Sequence, residues 1–318
     1  MLSRVAETIY WMGRYIERAE NTARLTQVST NLLMDLPRGI TPGWRPLVVI
    51  LGGEQAFEAR WDEYTERRVV HFIVGDLENH GSTLSSLAFA RENARTIRDI
   101  IPREAWEKLN ELYHQVSDGL QKGLTKHGRF EFLSSLIEGI QTLTGILAGS
   151  MNHDAAYSFF NIGRKLERAD MTTRMIDVQA ATIMHGTDEE SRAIEGLRWM
   201  AVLKSLTGYQ MYRRAMQVRI QRGAVLDFLF HHEDFPRAVR YCHGQMVGEL
   251  KKLPHHDIVK AALDEFVHTL DGITADKHDD PSLHDAIDEL QLGLIRIHQS
   301  VVEAYFLKTA EQEQSQAA

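Results

Sequence analysis

The chain contains the segment Gly13-Arg14-Tyr15-Ile16-Glu17-Arg18-Ala19-Glu20-Asn21-Thr22-Ala23-Arg24-Leu25, and a second copy follows 150 residues later. The second copy reads Gly163-Arg164-Lys165-Leu166-Glu167-Arg168-Ala169-Asp170-Met171-Thr172-Thr173-Arg174-Met175. Seven of the 13 positions are identical, and three more keep their chemistry (Ile/Leu, Glu/Asp and Leu/Met). Self-similarity at a fixed spacing predicts a duplicated structural unit. We therefore predict a first repeat over residues 1–150, a second over 151–310 and a flexible polar tail over 311–318.

Both copies have the periodicity of an amphipathic helix, and we call them the ER helices after their Glu-Arg pair. At 100° per residue, an apolar stripe contains Met12, Ile16, Ala19 and Ala23 in the first copy, and Ile162, Leu166, Ala169 and Thr173 in the second. The opposite face carries Arg14, Glu17, Arg18 and Asn21 in the first copy, and Arg164, Glu167, Arg168 and Met171 in the second. Large apolar residues flank this charged face in both copies, which favours partial burial over simple solvation.

A glycine begins both copies of the repeated segment, at Gly13 and Gly163. Glycine inside a helix costs about 1 kcal/mol relative to alanine. Its presence in both copies indicates that another backbone or a ligand comes close to the helix at this point.

Three interpretations of the charged face are open. The first is a set of ordinary helix pairs, Arg14 with Glu17 and Glu20 with Arg24, each worth a few tenths of a kcal/mol. In the second, the two ER helices cross near a pseudo-two-fold axis and exchange Arg–Glu hydrogen bonds, which fixes their register. In the third, the guanidinium groups form a fork for a carboxylate or phosphate, and Glu17 or Glu167 serves as a general base.

The rest of the chain also indicates an all-α protein. Only seven of the 318 residues are proline, strictly alternating segments are few, and 43% hydrophobic residues suffice for a sizeable core. Periodicity predicts long helices over residues 3–34, 82–100, 130–150, 151–184, 192–222, 235–250 and 256–271, and a last one to about Lys308. A short helix is expected near Glu54–Arg60, and the apolar run over 69–74 is interpreted as helix. We predict a helical bundle in which the two repeats share one body.

Composition narrows the class of function. A net charge of −8 argues against nucleic-acid binding. The single cysteine, Cys242, excludes an intramolecular disulfide and fits a reducing compartment. The start of the chain lacks the apolar core of a signal peptide, and no uninterrupted run of 18 apolar residues predicts a membrane span. The expected location is the cytoplasm.

Two further segments supply candidate binding residues. Arg91, Arg95 and Arg98 share one helical face in Ala90-Arg91-Glu92-Asn93-Ala94-Arg95-Thr96-Ile97-Arg98, either as a solvated stripe or as part of one anion pocket with the ER helices. Asp227 and Arg237 lie in a segment that is interpreted as a helix junction or, alternatively, as part of the site. The complete set of proposed ligand- or partner-binding residues is Arg14, Arg18, Asn21, Arg24, Arg91, Glu92, Asn93, Arg95, Arg164, Arg168, Arg174, Asp227 and Arg237.

No metal or cofactor is expected. The histidine-rich segments at 231–234, 255–257 and 278–280 lack a His-Glu-x-x-His pattern, and adjacent histidines on a helix point about 100° apart. The ER helices lack the Glu-x-x-His of di-iron bundles. A phosphate-binding loop, a dinucleotide-binding glycine motif and a Gly-x-Ser-x-Gly nucleophile motif are also absent.

The sequence resembles the alpha-E family of bacterial helical proteins. The most specific match is Tyr10-Trp11-Met12-Gly13-Arg14-Tyr15-Ile16-Glu17-Arg18-Ala19-Glu20-Asn21-Thr22-Ala23-Arg24. Supporting matches lie at Ala90–Arg95, Trp106–Asn110, the second ER helix, Asp227-Phe228-Leu229 and Pro236-Arg237. The chain has Asn79-His80-Gly81-Ser82 where the family tends to have Asn-Pro-Ser-Ser.

The resemblance implies a functional setting. It implies association with a circularly permuted ATP-grasp ligase and a transglutaminase-like protease, sometimes with a proteasome-like peptidase, in ATP-dependent peptide synthesis or tagging. Our first hypothesis is a non-catalytic helical partner that binds the ligase, or its anionic peptide, through the Arg/Glu helices. The alternative is an enzyme for a small anionic or peptide substrate, with an ER glutamate as general base.

Overall fold

A computed structural model describes residues 2–35, 43–182, 189–217, 219–274 and 280–306, and all regular secondary structure within these ranges is helical. The predicted all-α class is therefore confirmed. The polar tail over 311–318 and the predicted end of the last helix near Lys308 lie outside the described residues.

The chain up to Ser150 is a series of helices joined by short connections. They are α1 (Ser3–Asp35), α2 (Arg45–Ile50), α3 (Glu54–Glu58), α4 (Glu66–Val70), α5 (Thr83–Thr96), α6 (Arg103–Leu124) and α7 (Lys126–Ser150). A π-helical turn over His71–Gly75 continues α4, which confirms the helical interpretation of residues 69–74.

A second series of helices follows the connection at 151–154. They are α8 (Ala155–Thr182), α9 (Glu189–Ser205), α10 (Tyr209–Met216), α11 (Arg222–His231), α12 (Val239–Leu250), α13 (Asp257–Gly272) and α14 (Asp280–Val301). A second π-helical turn, Val302–Phe306, extends α14.

The two ER helices, α1 and α8, pack against each other at the centre of the fold. α1 also packs against α5 and α7, whereas α8 packs against α12 and α14. The predicted apolar stripe explains this position, because Met12, Ile16, Ala19 and Ala23 are all at most 1% exposed. The charged face is also covered, since packing surrounds these helices on several sides.

The prediction of one continuous helix over 192–222 is wrong. The chain instead forms α9 and α10, with a break at Thr207, and α11 begins only at Arg222. Thr207 has a φ of 53°, in the left-handed region that ends a helix, and Gln217 ends α10 with a φ of 52°. Neither residue is a glycine, but Gly208 follows Thr207, and its backbone N–H donates to the Leu203 carbonyl at the end of α9 at 2.6 Å.

Among the residues that the structure describes, one helix is long and apolar enough to cross a membrane by length and composition. It is α7, and 44% of its most apolar window is buried inside the protein. α7 packs against α6 and α1, as the core helix of a globular protein does. The absence of a membrane span and the cytoplasmic location stay predictions.

Candidate functional site

The carboxylate of Glu167 on α8 is held by two arginines of α1. Arg14 donates from Nε to Oε2 at 2.7 Å. Arg18 forms a bidentate pair, from Nε to Oε1 at 2.5 Å and from Nη2 to Oε2 at 3.1 Å. The Glu167 side chain is 3% exposed, whereas Arg18 remains 24% exposed. Two guanidinium groups therefore neutralise one buried carboxylate from the opposite helix.

The reverse exchange links Glu17 on α1 to two arginines of α8. Arg168 is bidentate, with Nε to Oε1 and Nη2 to Oε2 both at 2.6 Å. Arg164 donates to Oε2 from Nη2 at 3.2 Å. The second of the three interpretations of the charged face thus describes the observed hydrogen bonds. Arg14 and Glu17, which the first interpretation paired with each other, instead bond to residues of the opposite helix.

Arg237, which precedes α12, adds a third guanidinium group on the Glu17 side. It donates from Nη1 to Glu17 Oε1 at 3.3 Å and to Asn21 Oδ1 at 2.5 Å. Its Nη2 donates to Glu20 Oε1 at 2.9 Å. Glu20 also accepts from Arg24 Nε at 2.8 Å, so the helix pair expected under the first interpretation is present as well.

Gly13 and Gly163 allow α1 and α8 to approach closely enough for this exchange. A Cβ on Gly13 would lie 2.4 Å from the carbonyl oxygen of Phe160, and a Cβ on Gly163 would lie 2.3 Å from that of Tyr10. Both obstacles are backbone atoms, which cannot rotate away. The glycines are therefore required by the reciprocal contact of the two helices.

The arginines keep both ER carboxylates ionised. Burial raises the pKa of Glu17, but Arg168, Arg164 and Arg237 outweigh it and hold the pKa well below its ordinary value. Burial likewise opposes the ionisation of Glu167, but Arg18 and Arg14 lower its pKa to about 2. A general base works best with a pKa near the operating pH, so both carboxylates are weak bases.

The second ER helix contains a partly exposed ion pair beyond the exchange. Arg174 donates from Nε to Asp170 Oδ2 at 2.9 Å, one turn away on α8. Burial raises the pKa of Asp170, although Arg174 lowers it and Glu167 raises it further. Asp170 and Arg174 line a cavity of about 490 Å³ together with Arg18 and Glu167.

The predicted stripe on α5 lies against α6 rather than in this cavity. Arg91 donates to Asn110 Oδ1 at 2.7 Å, and its guanidinium lies 5.0 Å from the ring centre of Tyr113. Arg95 pairs with Glu92 at 2.5 Å in solvent. The part of these residues in binding stays a prediction.

The remaining predicted residues are Asn93, partly exposed on α5, and Asp227, exposed on α11. The hydrogen bonds that the structure gives for the ER network involve neither of them. Their assignment as binding residues stays a prediction, as does that of the other candidates.

Sequence reasoning did not single out His298, on α14. The Tyr10 hydroxyl lies 2.9 Å from His298 Nδ1, and the two rings stack with centres 5.7 Å apart. Burial, together with the charge of the nearby Arg14, lowers the pKa of His298 to about 4. The residues are 288 positions apart, and no local pattern reveals such a pairing.

Three side chains of the described residues come close enough to hold a metal ion. His284 Nδ1 lies 2.6 Å from Asp177 Oδ1, and its Nε2 lies 3.7 Å from Asp288 Oδ2. The sequence could not suggest this group, because Asp177 lies on α8 and the other two on α14. His284 and Asp288 are exposed, and exposed acidic groups of this kind are common without a metal.

Comparison with known proteins identifies the family. The family described as Alpha-E, "a predicted alpha-helical domain with a conserved ER motif", matches residues 1–306. The chain therefore belongs to the Alpha-E family.

The curated relatives are longer proteins. Uncharacterized proteins of Mycobacterium bovis and of two Mycobacterium tuberculosis strains are 24% identical to this chain over 269 residues. The match covers 79% of this chain and 30% of each relative. This chain thus matches less than a third of the length of these relatives. No solved structure gives a significant match.

Proposed function

We propose that this chain is a non-catalytic helical partner in a peptide-synthesis or peptide-tagging system with an ATP-grasp amide ligase and a transglutaminase-like protein. The observation that carries the non-catalytic role is the reciprocal clamp between α1 and α8. Glu17 is fully buried and bonded to three guanidinium groups, and Glu167 to two. These side chains hold two helices in register, which is the best-supported use of a buried charged network.

The relatives support a role as one part of a larger assembly. In the mycobacterial proteins, the region similar to this chain makes up 30% of a longer polypeptide. A segment that is fused to further sequence in one protein is suited to contact a separate protein in another. The identity of the partner rests on the family resemblance and on no contact in this structure.

The duplicated sequence supports a tandem origin for the two halves, with the boundary near residue 150. The two ER segments begin 150 positions apart in the chain, at Gly13 and Gly163. α5 and α12 begin 156 positions apart, at Thr83 and Val239. α1 packs against α5, and α8 packs against α12. We attribute this correspondence to two repeats that share one body.

The partner surface that we favour is the exposed arginine stripe formed by Arg95, near the end of α5, and Arg98, in the turn that follows α5. Arg95 and Arg98 are exposed, and the guanidinium of Arg98 lies 4.0 Å from the ring centre of Trp106. Arginine and tryptophan are enriched among the residues that dominate protein interfaces. The arginines of the ER clamp are less available, because carboxylates of this chain already occupy them.

Affinity purification of the tagged protein from its native cells tests this proposal. At low and moderate salt, we expect an ATP-grasp ligase to co-elute in stoichiometric amount. Arg95→Ala combined with Arg98→Ala should reduce its recovery. Arg103→Ala is the matched control. Arg103 is an exposed arginine at the start of α6, where it pairs with Glu107 of the same helix. Recovery of the protein alone from wild-type cells would contradict the partner role.

One observation favours the alternative, an enzyme with an ER glutamate as general base. Glu167 borders the cavity of about 490 Å³, so a substrate could approach it. Its pKa of about 2 opposes this role. If Glu167 is catalytic, Glu167→Gln should abolish the enzymatic activity without unfolding the protein. A pH titration of the carboxylates also distinguishes the two proposals, because a general base requires a higher pKa.

A further inference from the structure

The cavity beside Glu167 is built from the second ER helix and from the connection that leads into α5. Glu167, Asp170 and Met171 of α8 line one side, and Glu78 and Gly81 line another. Its volume of about 490 Å³ lies within the range of small-ligand sites, roughly 300–1,000 Å³. The lining residues all belong to the described part of the chain.

The carboxylates of this cavity are already bonded to arginines. Three carboxylates line it, from Glu78, Glu167 and Asp170, together with two guanidinium groups, from Arg18 and Arg174. Arg18 bonds to Glu167 at 2.5 Å and Arg174 to Asp170 at 2.9 Å, while Arg14 pairs with Glu167 at 2.7 Å and Arg60 with Glu78 at 3.3 Å. Each carboxylate oxygen has more than one acceptor position, so Glu167 and Asp170 can accept from a further donor.

The equivalent site around Glu17 on α1 shows which chemical group such carboxylates bind. There the guanidinium of Arg237 bonds to Glu17, Asn21 and Glu20 at 3.3, 2.5 and 2.9 Å. Arg237 is 6% exposed, so its guanidinium fills this position from within the chain.

The cavity takes the equivalent place beside α8, with Gly81 from the first half where the Glu17 site has Arg237 from the second. With the offset of 150 between the ER segments, Glu17, Glu20 and Asn21 correspond to Glu167, Asp170 and Met171. With the offset of 156 between α5 and α12, Arg237 corresponds to Gly81. Gly81 has no side chain to fill the space, and a Cβ there would meet only Asn79 Oδ1, at 3.3 Å.

We propose that this cavity binds the guanidinium group of an external arginine, in the position that Arg237 occupies in the other half. The site goes beyond the partner role and does not depend on the identity of the partner. The guanidinium can come from a free arginine-like molecule or from an arginine residue of a peptide. Both sources present the same planar group of donors to the two carboxylates.

One difference between the two sites affects how the external guanidinium is bound. Asn21, which accepts from Arg237, is replaced by Met171, whose thioether is a weak acceptor. The external group therefore bonds to Glu167 and Asp170 and makes an apolar contact with Met171. Charge-assisted bonds to carboxylates provide the affinity, so a neutral analogue of the same shape does not bind.

Isothermal titration calorimetry of the full chain tests the ligand class. The probes are L-arginine, agmatine and a short capped peptide with one arginine, and L-citrulline is the neutral control of nearly the same shape. We expect binding of at least one guanidinium probe and none of citrulline. Stronger binding of the peptide indicates a protein source, whereas equal binding of agmatine indicates a free molecule. Equal binding of citrulline, or no binding of any guanidinium probe, would overturn the proposal.

Two substitutions locate the bound group. Gly81→Arg places an internal guanidinium where Arg237 lies in the other half, and it should abolish binding. Asp170→Asn should weaken binding by about tenfold or more, the effect of losing one charge-assisted bond. Asp264→Asn is the matched control for the latter, because Asp264 also pairs with a base four residues away, Lys260, but in solvent.

The results of these substitutions are interpretable even if one variant does not fold. Circular dichroism reports whether Gly81→Arg keeps the helical fold, and Asp170→Asn provides an independent readout if it does not. Unchanged binding in Asp170→Asn, or in a folded Gly81→Arg protein, would refute this location. The arginine stripe on α5 lies outside the cavity, so a loss of the ligase in the pull-down is a separate result.

Discussion

Replacing Glu17 with glutamine removes the charge at the most buried point of the clamp and keeps the shape of the side chain. Three guanidinium groups, from Arg164, Arg168 and Arg237, would then share a site without their carboxylate. Glu17 itself is 0% exposed, so water cannot replace it. Removing one partner of a buried ion pair costs about 3–5 kcal/mol. Arg237 keeps its bond to Glu20, but Arg164 and Arg168 lose their carboxylate in a fully buried site, which places Glu17→Gln at the upper end of this range.

Glu167→Gln is the internal comparison for this variant. It also leaves two guanidinium groups without a carboxylate, but Arg18 is 24% exposed, so solvent compensates part of the loss. We expect about 3 kcal/mol or less for this variant. Glu92→Gln is the surface control, because Glu92 pairs with Arg95 in solvent and should change the stability much less than either buried glutamate does.

Urea unfolding followed by far-UV circular dichroism measures these differences. The shift of the midpoint, multiplied by the slope, gives the change in the free energy of unfolding. A loss below about 1 kcal/mol for Glu17→Gln, or a loss smaller than that of Glu167→Gln, would refute the view that the clamp stabilises the fold.

Two further changes test the packing and the titration of the central helices. Gly163→Ala should lower the urea midpoint, because its Cβ would lie 2.3 Å from the Tyr10 carbonyl oxygen. The control is Gly145→Ala, at an exposed position of α7 with open space around it, which should leave the midpoint unchanged or raise it. Because burial lowers the pKa of His298 to about 4, the unfolded chain binds this proton first, and stability should fall as the pH decreases from about 6.5 to about 4. Urea midpoints at about pH 7 and about pH 5 should therefore differ less in His298→Gln than in the wild type; an unchanged difference would contradict the neutral, buried state of His298.

The periodicity of the repeated segment predicted the central part of the fold. The stripe from Met12 to Ala23 is buried, and the paired glycines mark the closest approach of α1 and α8. The same residues left three interpretations of the charged face open. Periodicity places Glu17 on a face of its helix but does not say which helix covers that face.

Other features could not be predicted because they depend on contacts between distant residues. Arg237 joins Glu17 across 220 positions, and His298 joins Tyr10 across 288. The break at Thr207 has a different cause. A threonine there adopts a left-handed φ, which sequence rules reserve mainly for glycine and asparagine. Tertiary packing determines the two long-range contacts, and a single sequence carries no pattern for them.

The most direct test of the structural role of the ER glutamates is the pH titration of their carboxyl carbons by NMR. Selective ¹³C labelling of glutamate, with Glu17→Gln and Glu167→Gln to assign the signals, follows both groups in the folded protein. We expect both carboxylates to remain ionised from about pH 8 down to about pH 4, because the arginines of the opposite helix lower both pKa values. Titration of either group between about pH 5 and about pH 8 would contradict the clamp and would support a general base instead.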